Sequence, residues 1–588
     1  MRMLTRLIPL LLVATLLPAC KPQGGEADGG VDAGPPPIHT PRWAFEPWIS
    51  KDISDGPDTY AFVEGFQSRD IPVGTVVLDS PWETNYNTFI PNPERYPDFG
   101  QMVADLRERG VRVVLWTTQM VNEVSFDLEA GGDQYDGPAE NFYEGLDEGY
   151  YVEEGATSFW WKGEGAGVDF FDPDASAWWR AQQNPLLDLG VAGWKLDFGE
   201  NYLGADPLTT AAGEQSLQAY SEKYYEDFWV HGATRRGTEE FVTMVRPWDA
   251  SYNFEGRFFA RPEHAPICWV GDNRRDWIGL IDALDHIFRS VEAGYVVVGS
   301  DIGGYLDRDD VELTETIPFD ETVFARWTAV GAMTPFMQLH GRANITPWTT
   351  PDDPARTVEI YRYWSKLHSY LVPFFYSLAQ EAYAGGPHLM DPVGSTPAEW
   401  EGDWRFRVGE AFLVAPILDA TGVRDVALPA GRWLDWWALD GAPLEGGETL
   451  AAYDATATER LPLFLAEGAV VPMVVRDAAL GFGSAASAGR DFVLAWPGSA
   501  ATTFRRHDED GEVTTLSASS GRLELSRRPR AVELRLRTGA ITGASAGGAL
   551  TRVADRAALE STASSWRQEG EWIEVRLPAG GPVTLTWQ

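Results

Sequence analysis

Gly-Trp-Lys-Leu-Asp-Phe-Gly-Glu, residues 193–200, is the stretch on which the fold reading turns. Its alternation puts Lys195 and Asp197 on one face and Trp194, Leu196 and Phe198 on the other, the period of a β-strand. The strand follows the apolar residues 190–192, so both faces are expected to be covered. An unpaired charge in such a setting is expensive, and Lys195 and Asp197 must either satisfy each other's surroundings or do chemistry.

The same theme recurs along the chain. VGTVVLD (73–79), VRVVLW (111–116), GVAGWKLD (190–197), FVTMVRP (241–247), ICWVGD (267–272), YVVVGSD (295–301) and MTPFMQLHG (333–341) are short apolar runs. Amphipathic stretches separate them. PDFGQMVADLRERG precedes the second run, and WIGLIDALDHIFRSVEAG spaces Ile278, Ile281, Leu284, Ile287, Phe288 and Val291 as a helix does. Alternating buried strands and helices imply a parallel α/β sheet covered on both faces, and about eight strands point to a closed (β/α)8 barrel over 42–385. The runs end in Asp79, Trp116, Asp197, Arg246, Asp272, Asp301 and His340. Strand C-termini of such a barrel converge on one mouth, where active sites lie. Cys268, one pleat below Asp272 with no basic partner in view, reads as an inert lumen-filling thiol.

From about residue 386 the texture changes to short β-rich segments between Gly, Asp and Pro turns, such as FRVGEAFLVAPIL and VELRLR. These predict two β-sandwiches, 386–475 and 476–588, free of clustered ionisable residues and suited to scaffolding or sugar contact. Within the barrel, the acidic and aromatic insertion near 123–165 is placed where a lid or specificity loop would project.

At the N-terminus, MRMLTR and a roughly 13-residue apolar core lead to Leu-Pro-Ala-Cys20, the pattern of a lipoprotein signal peptide over 1–20 with lipidation at Cys20. An ordinary secretion signal cut near Ala19 is the alternative. Residues 21–41, rich in Gly, Pro and Asp, cannot pack and read as a tether. The expected location is therefore the cell envelope of a bacterium, at the outer membrane or cell surface, with membrane attachment only through the lipid. Cys20 and Cys268 are the two cysteines, so a modified Cys20 leaves no internal disulfide. A net charge of −40 repels phosphate backbones and excludes a nucleic-acid partner. The 25 Trp exceed ordinary core demand and suit stacking on sugar rings. Eight scattered His without HExxH spacing, and glycines without a nucleotide fingerprint, give no reason to expect a metal or other cofactor.

Six ordered motifs carry a family resemblance: LDSPWETNYNTFIPNPERYPDFGQMVADLRERGVRVVLW, KLDFGE, WVGD, GSDIGGY, FARWTAVGAMTPFMQLHG and LPLFLAEGAVVP. From about Phe45 to Met473 the chain resembles the glycoside hydrolase family 31 α-glycosidases. The resemblance implies a retaining enzyme with Asp197 as nucleophile and Asp272 as general acid/base. It also implies a sugar pocket lined by Asp79, Trp116, Lys195, Arg246, Trp269, Asp301 and His340, with Arg261 of FFARPEH the alternative to Arg246. The β-sandwich that precedes the barrel in relatives has no counterpart expected here. Lys-x-Asp-Phe-Gly-Glu looks more like the α-xylosidase side of the family, with α-glucosides next. α-Galactosides, modified glucose, or a non-catalytic surface carbohydrate-binding protein are the other readings.

Retention asks for one ionised and one protonated carboxyl group about 5–5.5 Å apart. Lys195 is expected to hold Asp197 anionic, and the apolar Cys268, Trp269 and Val270 to hold Asp272 protonated. Glu200, beyond the strand end, reads as a strut.

Overall fold

A computed structural model describes residues 35–588 apart from Asn253 and Glu312; the expected signal peptide, Cys20 and most of the 21–41 tether lie outside the described residues. The barrel sheet is made of β1 (Trp48–Lys51), β2 (Thr75–Leu78), β3 (Arg112–Thr117), β4 (Gly193–Leu196), β5 (Val242–Val245), β6 (Ile267–Trp269), β7 and β8 (Gln338–Leu339). β7 comes in two pieces, Val298–Gly299 and Asp301–Ile302. The first piece pairs with β6 and the second with β8, so one strand broken at Ser300 closes an all-parallel barrel. Every quoted apolar run forms one of these strands. β1 had no run of its own, because Trp-Ile-Ser-Lys is four residues long and half polar.

Register sets the site. Trp116 pairs with Lys195, Lys195 with Met244, and Val245 with Cys268. Trp194 turns outward against Phe228, 6.1 Å between ring centroids, while Lys195 turns inward. Phe228 belongs to one of the covering helices, which run Gly56–Gln67, Phe99–Glu108, Pro173–Asp188, Leu217–Arg236, Trp277–Glu292, Glu321–Ala332 and Pro354–Tyr383. Asp55, Asp172, Asp276, Asp320 and Asp353 each accept from first-turn backbone N–H groups, an arrangement worth about 1 kcal/mol per cap. Part of the acidic excess is thus local helix-start chemistry.

Between β3 and the helix at 173, the chain leaves the barrel. Met120–Ser125, Gly163–Gly167 and Ser158–Trp160 form a three-stranded antiparallel sheet with the helix Phe142–Glu148 beside it. This sheet stands on the C-terminal side of the barrel and sends Leu128, Glu129 and Trp161 to the mouth.

The proximal C-terminal unit is an unequal sandwich. A six-stranded sheet faces the ribbon of Val423–Ala427 and Thr449–Asp454 across Leu413, Val426, Trp433 and Phe464. Its last expected strand, Val470–Met473, pairs instead with Asp491–Ala495 and so enters the distal unit before residue 475. There a six-stranded and a five-stranded sheet enclose Val493, Leu516, Leu534, Ile573 and Leu585. The distal unit does carry a cluster of ionisable residues, contrary to expectation. Fully buried Glu533 pairs with Arg576 at 2.8 Å and Arg556 at 2.6 Å, and Glu574 with Arg567 at 2.5 Å. The period-two pattern of VELRLR and WIEVRL puts Glu533, Glu574 and Arg576 on the face opposite the core, where Arg556 of the helix Arg556–Ser561 and Arg567 of the strand Ser565–Glu569 meet them.

Candidate active site

At the C-terminal ends of the barrel strands lies a cavity of about 340 Å³. Asp79, Trp116, Lys195, Asp197 and Asp272 line it, each just beyond or at the end of its strand. Arg246, one residue past β5, is wholly buried and stands between the two central carboxylates. Its Nη2 donates to Asp197 Oδ1 at 2.8 Å and to Asp272 Oδ1 at 3.1 Å, and its Nε donates to Asp197 Oδ1 at 3.0 Å. A shared nitrogen limits those two oxygens to a separation no larger than the sum of the distances, about 5.9 Å. Nη1 is taken by Asp249, which also holds Ser251 Oγ at 2.5 Å. Arg246 is therefore fixed on every side. Arg261 is more than half exposed and paired with Glu222 at 2.7 Å, away from the cavity.

The two carboxyl groups differ in their surroundings. Asp197 accepts three bonds at Oδ1, the third from Phe198 N at 2.9 Å, and one at Oδ2, from Trp116 Nε1 at 3.0 Å. Burial alone would push its pKa up, but Arg246 first and Lys195 second outweigh burial and hold it below the usual carboxylate range. The expectation named Lys195 for this role; Arg246 is the closer and stronger partner. Asp272 accepts from Tyr252 OH at 2.8 Å at its other oxygen, and its backbone N–H donates to Ser251 Oγ at 3.0 Å. Burial raises it, and the charge on Asp197 adds to burial against the pull of Arg246. The net directions are opposite for two identical side chains.

Lys195 spends its ammonium elsewhere. Nζ donates to Asp79 Oδ2 at 2.7 Å and lies 3.1 Å from His340 Nε2, 5.2 Å from the centre of the Trp269 ring. Burial and the lysine charge keep the His340 pKa well below its ordinary value, so the imidazole is neutral and accepts. His340, Asp301 and Trp269 do not line the cavity and form its fully buried support. Asp301 accepts from Gln338 Nε2 at 2.6 Å, and burial pushes its pKa up to about 7. Cys268 is likewise fully buried, with its thiol pKa raised by burial. Glu200 is a strut in fact, accepting from Ser221 Oγ at 2.7 Å and Arg257 Nη2 at 3.0 Å.

Other residues complete the site; Phe198 was expected on the face opposite Asp197, but the strand ends at Leu196 and Phe198 lines the cavity beside it. Trp161, Phe198, Tyr202 and Phe254 form an aromatic wall, with 5.2 Å between Trp161 and Tyr202 and 5.4 Å between Phe198 and Phe254. Tyr305, Arg342, Glu129 and Asp310 supply polar groups, and Leu128, Val311 and Leu313 expose apolar surface at the rim. Trp161, Glu129 and Leu128 belong to the 123–165 insertion, whose acidic and aromatic composition was their only signal. Asp52, Asp79 and His340 would have the spacing of a cation site, but the Lys195 ammonium already occupies that position.

The arrangement can hold one carboxylate charged and one protonated across a ring-sized space walled by aromatic faces. Comparison with known proteins points the same way. The glycosyl hydrolases family 31 TIM-barrel domain model matches residues 37–378, and the glycosyl hydrolase family 31 C-terminal domain model matches 387–471. The chain is 26% identical over 486 residues to "Alpha-glucosidase 2" of Bacillus thermoamyloliquefaciens, covering 77% of this chain and 57% of that protein. It is 24% identical over 458 residues to "Alpha-xylosidase" of Emericella nidulans, covering 74% and 54%. Thus it spans little more than half the length of these curated relatives. In fold it is similar to the cycloalternan-forming enzyme from Listeria monocytogenes, with a TM-score of 0.79, 20% identity and coverage of 94% of this chain and 55% of that one. With more than half of its length accounted for by the barrel model alone, the chain belongs to glycosyl hydrolase family 31.

Proposed function

We propose that this protein is a retaining α-glycosidase that releases a terminal α-linked sugar, an α-glucoside or α-xyloside, by double displacement. One observation carries the reading: a single buried arginine nitrogen joins Asp197 and Asp272 while their pKa values move in opposite directions. The shared nitrogen keeps the nearer oxygens of the two carboxyl groups within about 5.9 Å of each other, which supports the closer spacing of a retaining pair.

Oδ1 of Asp197 is loaded with three donors, which leaves Oδ2 as the nucleophilic oxygen. Oδ2 attacks the anomeric carbon, the bond to the glycosidic oxygen breaks, and that oxygen takes the Asp272 proton as it leaves. The product is a glycosyl ester of Asp197. Esterification removes the Asp197 charge, one of the causes of the raised Asp272 pKa, so Asp272 becomes the better carboxylate when it must act as base. It then takes a proton from water, whose oxygen attacks the same carbon and frees Asp197. Two displacements return the starting configuration. Asp79 and Lys195 supply a charged acceptor and donor to sugar hydroxyls in fixed directions.

Incubation with an activated 5-fluoro α-glycosyl fluoride tests the assignment. Digestion and mass spectrometry should place the added sugar on the peptide containing Asp197; a label on another carboxylate refutes it. We also propose export as a lipoprotein held by Cys20, for which Cys20→Ala should move the protein from the membrane fraction to the soluble one. Retention of that variant in the membrane fraction would refute the anchor.

A further inference from the structure

Besides the catalytic pair and Asp79, the cavity contains a further built anion. Glu129 reaches it from the insertion, not from a barrel strand. Its Oε2 accepts from Lys162 Nζ at 2.5 Å, and its Oε1 lies 3.3 Å from Tyr305 OH and 3.5 Å from Arg342 Nε. Lys162 is entirely buried and also donates to both oxygens of Asp127 at 3.0 Å. Burying a lysine between two carboxylates is costly, and of the two only Glu129 lines the cavity. Burial works against its charge, but Lys162 outweighs burial and holds Glu129 below the usual range.

The place of Glu129 follows from its neighbours. Asp197 and Asp272, which mark the scissile bond, are joined through Arg246, with Tyr252 donating to Asp272. Glu129 joins the opposite group, in which Tyr305 OH donates to Asp52 at 3.0 Å, Asp52 lies 3.6 Å from His340, and His340 contacts the Lys195–Asp79 pair. A pyranose with its anomeric carbon at Asp197 presents its C4 and C6 edge away from the bond being broken. A fixed carboxylate there, with an arginine beside it, matches a hydroxyl that both donates and accepts.

We infer that Glu129 is a specificity-determining residue that binds the C6 or C4 hydroxyl of the sugar, making the preferred substrate an α-hexoside that carries its hydroxymethyl group and not an α-xyloside. This rests on the glycosidase reading above and narrows it. The insertion then acts as part of the sugar pocket. A carboxylate built to accept a hydroxyl discriminates strongly against an analogue that lacks it, because the buried group is left unpaired.

The test compares kcat/KM of the full chain for aryl α-glucoside, α-galactoside, 6-deoxy-α-glucoside, 4-deoxy-α-glucoside and α-xyloside with one common leaving group. The parent is expected to favour a hexoside over its matching deoxy compound by about 10- to 100-fold. Glu129→Gln and Glu129→Ala should erase that ratio, lowering turnover of the full hexoside while changing the deoxy sugar or xyloside by less than about 3-fold. The 6-deoxy and 4-deoxy arms tell which hydroxyl is held. Tyr305→Phe, which removes one oxygen only, should shift the ratio in the same direction by less. An unchanged ratio in both Glu129 variants, or equal losses on every substrate, overturns the inference and leaves the glycosidase reading standing. No turnover of any α-glycoside by the parent overturns both.

Discussion

Arg246 donates from one guanidinium nitrogen to Asp197 at 2.8 Å and to Asp272 at 3.1 Å, so one fixed cation sets both the spacing and the charge of the two carboxyl groups. It is pinned by Asp249 on its far side and by the Phe198 ring at 3.9 Å. Replacing it with Met should leave Asp249 and Asp197 buried without their partner, at a cost of about 3–5 kcal/mol in unfolding free energy. A drop of that size in a urea melt, together with near-complete loss of turnover, is the expected outcome; a stable and active Arg246→Met variant would contradict this role.

Asp197→Ala should lower kcat by at least about 10⁴-fold, since nothing else in the cavity offers an oxygen in the same place. Asp272→Ala should cost about 10²- to 10⁴-fold on a disaccharide and much less on a substrate whose phenolate leaves without a proton. Added azide should restore the second variant by attacking the ester in place of deprotonated water. Circular dichroism of both variants checks that the fold persists.

The pH profile follows from the signs of the two shifts. Activity requires Asp197 charged and Asp272 protonated, so kcat/KM should rise through an acid limb below the usual carboxylate range and fall through an alkaline limb above it. Tyr252 donates to Asp272 and stabilises its charged form. Tyr252→Phe removes that donor, raises the Asp272 pKa further and should move the alkaline limb to higher pH while leaving the acid limb in place. Movement of the alkaline limb to lower pH would reverse the assigned direction.

Chelation should have no effect on rate. The Lys195 ammonium sits 2.7 Å from Asp79 and 3.1 Å from the neutral His340, in the one group with cation-site spacing among the described residues. Activity measured before and after exhaustive dialysis against EDTA should agree within error, and Lys195→Met should instead raise KM because Asp79 loses its partner. A loss of activity on dialysis that returns with one divalent cation would overturn this account.

Much of the barrel was legible because a buried parallel strand has to be a short apolar run, and the runs stopped at residues that line the mouth, as Asp79 and Asp197 do, or support it from below, as Asp301 and His340 do. Residues 295–301 were read as one strand, but the break at Ser300, which closes the barrel, depends on pairing with two different neighbours. β1 carried too few apolar residues to register. In the site, Asp197 and Asp272 were visible from position and motif. Lys195 was visible too, but not its partner: the contact with Asp79 spans 116 residues of chain and exists only through barrel closure. The choice between Arg246 and Arg261 was likewise undecidable from spacing, since burial separates them. Glu129 and Trp161 were hidden in an insertion whose composition marks a loop but not which side chains turn inward.

The stereochemistry of the first product tests the central claim most directly. Proton NMR recorded within the first turnovers of an α-glycoside should show the α-anomer of the free sugar appearing first, with the β-anomer growing in only by mutarotation. Initial release of the β-anomer would contradict double displacement at Asp197, whatever the spacing of the carboxyl groups.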